Sequence, residues 1–296
     1  MVKLSVSKFC NNKNFYIIGV SYIGKPQSNT AMFISKKVEY LLSALEQVNE
    51  CLVFVEEGIE ISYLLKEKHA FVFSSKPQRD YARFATIFAE ERFREERNLK
   101  CCLTEKGFYL FEDSHFGENA YIEPGCIIGP DVTIGNNARI FAGCIIRRAT
   151  IGDNFLANEN AVIGANGFTM SEDEVGNRLR IPTLGRVIIG NNVEIGAHDS
   201  ISCSTAGSTI IEDNVKLDAL IYIGHDVHLH KNVEISAGAD LGGFIEVGEK
   251  TIVGLGATVR NRIGLGKNSF VGMGSNVVKS VKEGIIVVGN PAKTLA

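Results

Sequence analysis

Residues 211–271 read, cut into sixes, IEDNVK LDALIY IGHDVH LHKNVE ISAGAD LGGFIE VGEKTI VGLGAT VRNRIG LGKNSF V. An aliphatic residue opens every unit, from Ile211, Leu217, Ile223 and Leu229 onward, and the series runs on to Val277. The fifth place is usually small or β-branched, as in Val233, Ala239, Thr251, Ala257 and Ser269. Gly often follows the aliphatic, as at Gly224, Gly248, Gly254 and Gly266. A helix of 3.6 residues per turn cannot hold a six-residue stripe on one face for this long. A β-structure with a corner every six residues can.

Working toward the N-terminus, the same register holds at Phe116, Ile122, Ile128, Ile134, Ile140 and Ile146. It slips by one residue to Ile151, Ala157 and Ile163, then resumes at Ile189, Ile195 and Ile201. Two interruptions stand out. TMSEDEVGNRLRIPTLGR (169–186) is polar, contains Gly176 and Pro182, and reads as a protruding loop or hairpin. A short insertion falls around 207–210. Loops extruded from a repeat array often build its binding face.

These units resemble the hexapeptide repeat of left-handed parallel β-helices, in which three units form one triangular coil of 18 residues. Handedness is taken from that resemblance, because parallel crossovers are nearly always right-handed. The expected fold is mainly β: a left-handed parallel β-helix with a small N-terminal α/β domain. Residues 18 apart then stack. Cys126 and Cys144 form such a pair. In a reduced compartment they read as small core residues, with a redox pair as the alternative.

Residues 1–105 lack the hexad. YIIGV and CLVFVEE read as short buried strands; KKVEYLLSALEQV and QRDYARFATIFAEERFREERN read as amphipathic helices. The expected division is an α/β domain at 1–105, the β-helix at 106–281 with its loop at 169–186, and a tail at 282–296.

Composition narrows the function. Among 296 residues, 31 Lys plus Arg against 34 Asp plus Glu give a net charge of −3, without the basic excess of a nucleic-acid binder. No apolar run reaches the ~18 residues of a membrane helix, and MVKLSVSKFC has no signal-like apolar core. Seven Cys without a CxxC pair suggest neither a disulfide framework nor a zinc site. The expectation is a cytoplasmic protein with no nucleic acid, no transmembrane segment and no resident metal.

Several segments together resemble the UDP-3-O-acylglucosamine N-acyltransferases of lipid A biosynthesis. IIGVS (17–21) and AMFIS (31–35) match that family's uridine-binding domain; IGANGF (163–168), IPTLGRVIIGNNVEIGA (181–197) and IGHDV (223–227) follow the order of its β-helix. The resemblance implies a homotrimer that acylates the amine of a nucleotide-linked amino sugar. The donor would be a thioester of acyl carrier protein or CoA, with no covalently bound cofactor. The family's catalytic His falls on His225. Its oxyanion-stabilising backbone N–H falls one coil later, on Gly243. Asp226 replaces the family's Asn, either to orient the imidazole or as a solvated corner residue. In the uracil-stacking segment Phe33 is retained and Tyr40 is displaced by one. The family's second His becomes Arg262, and its Asp-Arg-Gly becomes Ser202, Cys203 and Ser204.

Subtracting the short insertion puts Cys203, His225, Gly243 and Asn261 in one outward column. Phe168 would pack on an acyl or pantetheine chain, or cap the core where the coil is interrupted. Substrate contacts are thus expected at Phe33, Tyr40, Phe168, Cys203, Asn261 and Arg262. The ending VVGNPAK resembles sugar acetyltransferases that use acetyl-CoA, and HDVHLHKNVEISAGA resembles acetyltransferases of UDP-amino sugars. N- or O-acetyl transfer from acetyl-CoA is therefore the second reading, and a non-catalytic hexapeptide scaffold the third. His225 and His230 have the H-x4-H spacing of gamma-class carbonic anhydrases. The third ligand would fall near Gly185, which cannot bind zinc.

Overall fold

A computed structural model describes residues 2–10 and 12–295. The chain forms two compact units. One comprises Met1–Asn98, Phe168–Leu184 and Thr205–Gly207; the other comprises Leu99–Gly167, Gly185–Ser204 and Ser208–Ala296.

The second unit is a parallel β-helix. Its strands are two to four residues long and fall into three sheets, of ten, ten and eight strands among the described residues. Apart from the antiparallel end strands Cys101–Leu103 and Lys293–Thr294, neighbours within a sheet lie one coil apart in sequence. The step is 18 residues where Ile127 pairs with Ile145 and 17 where Val132 pairs with Ala149, the one-residue slip. It is 38 where Ala149 pairs with Val187, across the first interruption, and 22 where Ser200 pairs with Tyr222, across the second. The hexad stops near residue 281, but Ile286–Val288 adds another parallel strand beside Phe270–Val271.

The first-place aliphatics form one continuous buried column, which includes Ile128, Ile146, Ile163, Ile201, Ile223 and Leu241. Each such side chain contributes roughly 1.5–3 kcal/mol on burial. Corners need a left-handed residue, and the sequence supplies Asn119, Asn137, Asn154 and Asn192 with φ between 57° and 59°. Asn tolerates that region better than most side chains. The same residues form a ladder, each amide donating to the next at 3.2, 3.0 and 3.0 Å. Cys126 and Cys144 are buried thiols in this core, donating to the carbonyls of Phe141 and Asn158 at 3.0 Å each.

One acid is built into the prism. Asp199, 1% exposed, accepts from the backbone N–H of Gly196 at 2.9 Å and of Ile221 at 2.8 Å. Burial nevertheless pushes its pKa up to about 6. A carboxyl that binds its proton more tightly when folded penalises folding as that proton is lost. Its penalty is absent below pH ~4 and complete above pH ~7. Denaturant unfolding should show a loss of about 2–3 kcal/mol from this group across that window. The pH profile of Asp199→Asn should lack that component; identical profiles would refute the assignment.

The first unit is built on a parallel sheet whose spatial order follows the chain: β1 (Gly19–Val20), β2 (Thr30–Ile34), β3 (Leu52–Glu56) and β4 (Ala70–Ser74). Period-two alternation sends Ala31 and Phe54 to one face and Met32, Ile34, Val53 and Val55 to the other. Helix α1 (Tyr63–Lys68) contributes Leu65 to the second face, and α2 (Pro77–Glu96) contributes Tyr81, Phe84 and Phe88 to the first. The predicted helix at KKVEYLLSALEQV is instead a run of 3₁₀ turns, Lys36–Gln47, kinked at β-branched Val38 with φ −127°. The first interruption forms an antiparallel hairpin, Thr169–Glu172 against Arg178–Ile181. Ile181 joins the core of Tyr81 and Phe84, and Glu174 pairs with Arg83 of α2.

Candidate active site

The site is assembled at one edge of the β-helix, where strand Tyr222–Ile223 ends. Gly224 brings the next coil close: a Cβ there would lie 2.7 Å from the Gly243 nitrogen. His225 follows, its side chain 13% exposed, and its Nδ1 lies 2.8 Å from Asp226 Oδ2. Asp226 takes the left-handed corner (φ 63°) that an aspartate tolerates. Its side chain is 6% exposed. The other carboxylate oxygen accepts a very short hydrogen bond from the Ser204 hydroxyl, and the Asp226 N–H donates to Thr209 Oγ1 at 2.9 Å. The Asp226 carboxylate is therefore buried and hydrogen-bonded against the imidazole rather than solvated at a corner. With Nδ1–H donated to a carboxylate, the lone pair of the neutral ring resides on Nε2.

Nε2 faces Gly243. A Cβ on Gly243 would lie 2.7 Å from His225 Cε1 and 2.8 Å from Nε2. On the other side, a Cβ on Gly167 would lie 2.9 Å from His225 Cβ and 3.2 Å from Cδ2. The imidazole is thus held between two glycine backbones. The Gly243 carbonyl accepts from Arg262 N–H at 3.0 Å, whereas the Gly243 N–H meets no protein acceptor among the described residues. The Phe244 ring stands edge-on to His225, with centroids 5.2 Å apart. The Arg262 guanidinium covers Phe244 at 4.2 Å. Arg262 is thus stacked on the ring that stands against the imidazole.

Asn261 is exposed, and its backbone packs against Gly242. Cys203 requires a correction. The strand Ser200–Ser202 runs one residue past Ile201, and after an irregularity at Ile163/Ala165 it pairs Ser202 with Ala165. That shift turns Cys203 into the aliphatic core at 0% exposure, out of reach of any substrate. Ser204, one residue on, is the member of this segment that reaches the site. Gly167, Thr209 and Phe244 escaped the sequence reading, and Ser204 entered it only as a departure from the family's motif. Only Gly167, inside IGANGF, carried a signal.

In the first unit, Phe33 packs on Tyr81 with centroids 5.2 Å apart and lines a cleft of about 670 Å³. Ser75, Lys76 and Arg79, around the start of α2, and Arg178 of the hairpin also line it. Arg79 is engaged by Asp80 at 3.1 Å and Glu174 at 3.4 Å. Burial raises the Asp80 pKa, but the Ser74 hydroxyl and Arg79 together outweigh it and hold the carboxyl below its usual range. Tyr40 is exposed and is not part of the cleft lining. Phe168 is 70% exposed, which excludes the core-capping role; Arg180 lies 5.5 Å from its ring.

Fold and site define a left-handed parallel β-helix of the hexapeptide-repeat type, carrying a histidine–aspartate pair beside a bare glycine amide. Among solved structures, the UDP-N-acetylglucosamine acyltransferase from Campylobacter jejuni is similar at a TM-score of 0.58 and 25% identity, over 65% of this chain and 73% of that one. Among curated proteins, the chain is 46% identical over 79 residues to a UDP-3-O-acylglucosamine N-acyltransferase of Coxiella burnetii (strain RSA 493 / Nine Mile phase I), covering 27% of this chain and 23% of that protein. A protein of the same name from Cytophaga hutchinsonii is 51% identical over 71 residues, covering 24% and 20% respectively. The matched stretches thus span less than a quarter of these two relatives' length. A family profile described as the GMPPB C-terminal domain matches residues 111–206.

Proposed function

We propose that this chain is an acyltransferase that moves an acyl group from a thioester to the amine of a nucleotide-linked amino sugar, in the synthesis of lipid A or a related surface glycan. The observation that carries the reading is His225 Nε2 lying against Gly243, whose N–H has no protein acceptor among the described residues. The neutral amine attacks the thioester carbonyl and forms the C–N bond. His225 Nε2 takes the amine proton, and Asp226 stabilises the resulting imidazolium. The carbonyl oxygen becomes an oxyanion that the Gly243 N–H meets. Collapse breaks the C–S bond, and the imidazolium returns its proton to the leaving thiolate. A positioned base contributes ~10²–10⁴-fold, and one oxyanion donor roughly 3–4 kcal/mol. No metal enters these steps.

The cleft beside Phe33 suits the nucleotide. An aromatic face can stack a base, while Lys76 and the N-terminus of α2 favour phosphate. The working form in this reading is a cytoplasmic homotrimer with acyl carrier protein or CoA carrying the donor. The ending VVGNPAK favours the second reading, transfer from acetyl-CoA to an amine or hydroxyl of a nucleotide sugar. A donor–acceptor matrix decides: acetyl-CoA and long-chain acyl carrier protein against UDP- and TDP-linked amino sugars. No turnover and no thermal shift with any of them would leave the scaffold reading. Asp226→Asn keeps the shape but removes the charge that fixes the Nδ1–H tautomer. It should lower turnover at least ~10-fold with little change in KM for the sugar. An unchanged turnover would take Asp226 out of the mechanism.

A further inference from the structure

Glu212, His228 and His230 place one ligand atom each within 4.8 Å of the others. His228 lies in the strand His228–Leu229, which pairs with Ile210–Ile211 on one side and Glu246–Val247 on the other. Register therefore stacks groups from three successive coils on one face. Glu212 Oε1 is 2.8 Å from His228 Nε2 and 3.2 Å from His230 Nδ1. Glu212 Oε2 accepts from the Lys231 N–H at 3.1 Å, which fixes the carboxylate. The second nitrogen of His230, Nε2, is 2.9 Å from Glu246 Oε1. The two imidazoles are stacked, with centroids 4.0 Å apart and planes 28° from parallel.

Proton counting makes this arrangement informative. A neutral imidazole carries one N–H. His230 faces a carboxylate oxygen at each nitrogen, so one of those contacts sets a lone pair against an anion. With a cation shared by Glu212, His228 and His230, Nε2–H of His230 donates to Glu246 and Nδ1 is a ligand. A carboxylate on the far nitrogen of a metal-bound histidine is a common supporting contact.

We propose that Glu212 Oε1, His228 Nε2 and His230 Nδ1 bind a divalent transition-metal ion of the zinc class, with Glu246 as the positioning residue for His230. Two nitrogen donors and one oxygen suit such an ion better than magnesium or calcium, which prefer oxygen. The three side chains are each 27–30% exposed, so an ion can enter. Bound there, it ties adjacent coils together. This site shares no ligand with the His225–Asp226 pair and does not depend on the transferase reading.

The test uses untagged full-length protein, stripped with a chelator and titrated with Zn²⁺ against a chromophoric competitor. One equivalent per chain is expected, with a higher melting temperature in the zinc form. His228→Gln and His230→Gln should each weaken binding at least ~10-fold, and Glu246→Gln by about 10-fold. His225→Ala should bind zinc as the unaltered chain does. Absence of binding at micromolar Zn²⁺, or binding that survives in the folded His228→Gln/His230→Gln double variant, would overturn the proposal. If that variant does not fold, the Co²⁺ spectrum of the unaltered chain decides. An intense tetrahedral band supports the site, and a weak octahedral one overturns it.

Discussion

His225→Ala is expected to lower turnover a hundredfold or more while the melting temperature stays close to that of the unaltered protein. The ring contributes nothing to the aliphatic column, so its removal leaves the coil stack intact. What disappears is the base. A positioned general base is worth ~10²–10⁴-fold. The loss should fall on turnover rather than on KM, because the proton moves only as the amine attacks. Steady-state kinetics with saturating donor would measure it. Turnover near that of the unaltered protein would remove His225 from the proposed reaction.

The second large effect is expected from a single methyl group. Gly243 does not have a positive φ, so alanine is tolerated by the backbone there. Its Cβ, however, would stand 2.7–2.8 Å from His225 Cε1 and Nε2. The side chain must yield, and the imidazole swings off its line to the substrate. A misplacement of about 1 Å can cost ~10²-fold, so Gly243→Ala should approach the His225→Ala rate with an almost unchanged melt. The double variant gives the sharper measurement. If the methyl acts by displacing the ring, adding it to His225→Ala should cost little more. A further tenfold loss in the double variant would show that the methyl disturbs the oxyanion position on its own.

Much of the site was legible because the β-helix converts sequence spacing into spatial stacking. With the 18-residue coil that the resemblance implies, placing Gly243 beside His225 required only counting. Counting failed where register changed. Ile201 and Ile223 are paired as expected, but the strand continues to Ser202. Cys203, counted into the outward column, is consequently in the core, and Ser204 reaches Asp226 instead. Phe244 and Arg262 lie one and two coils beyond Asp226, all three in the left-handed region. Spacing alone gave no sign that Arg262 would cover Phe244 and that Phe244 would stand against the imidazole. The kink at Val38 was likewise invisible to a 3.6-residue pattern.

By itself the sequence determined the six-residue repeat, its inward column and the places where it is interrupted, whereas the 18-residue coil that stacks His225 against Gly243 is what the resemblance to hexapeptide β-helices implied. The repeat, the column and the interruptions are set by which side chains are apolar every sixth residue, and need no knowledge of distant contacts. Tertiary structure decided the burial and hydrogen bonding of Asp226, the burial of Cys203, the packing of Gly167 on His225 and the meeting of Glu212 with His228 and His230. Those depend on where individual side chains point at irregular corners and on how protons are shared among close-packed polar groups. Periodicity carries no information about either.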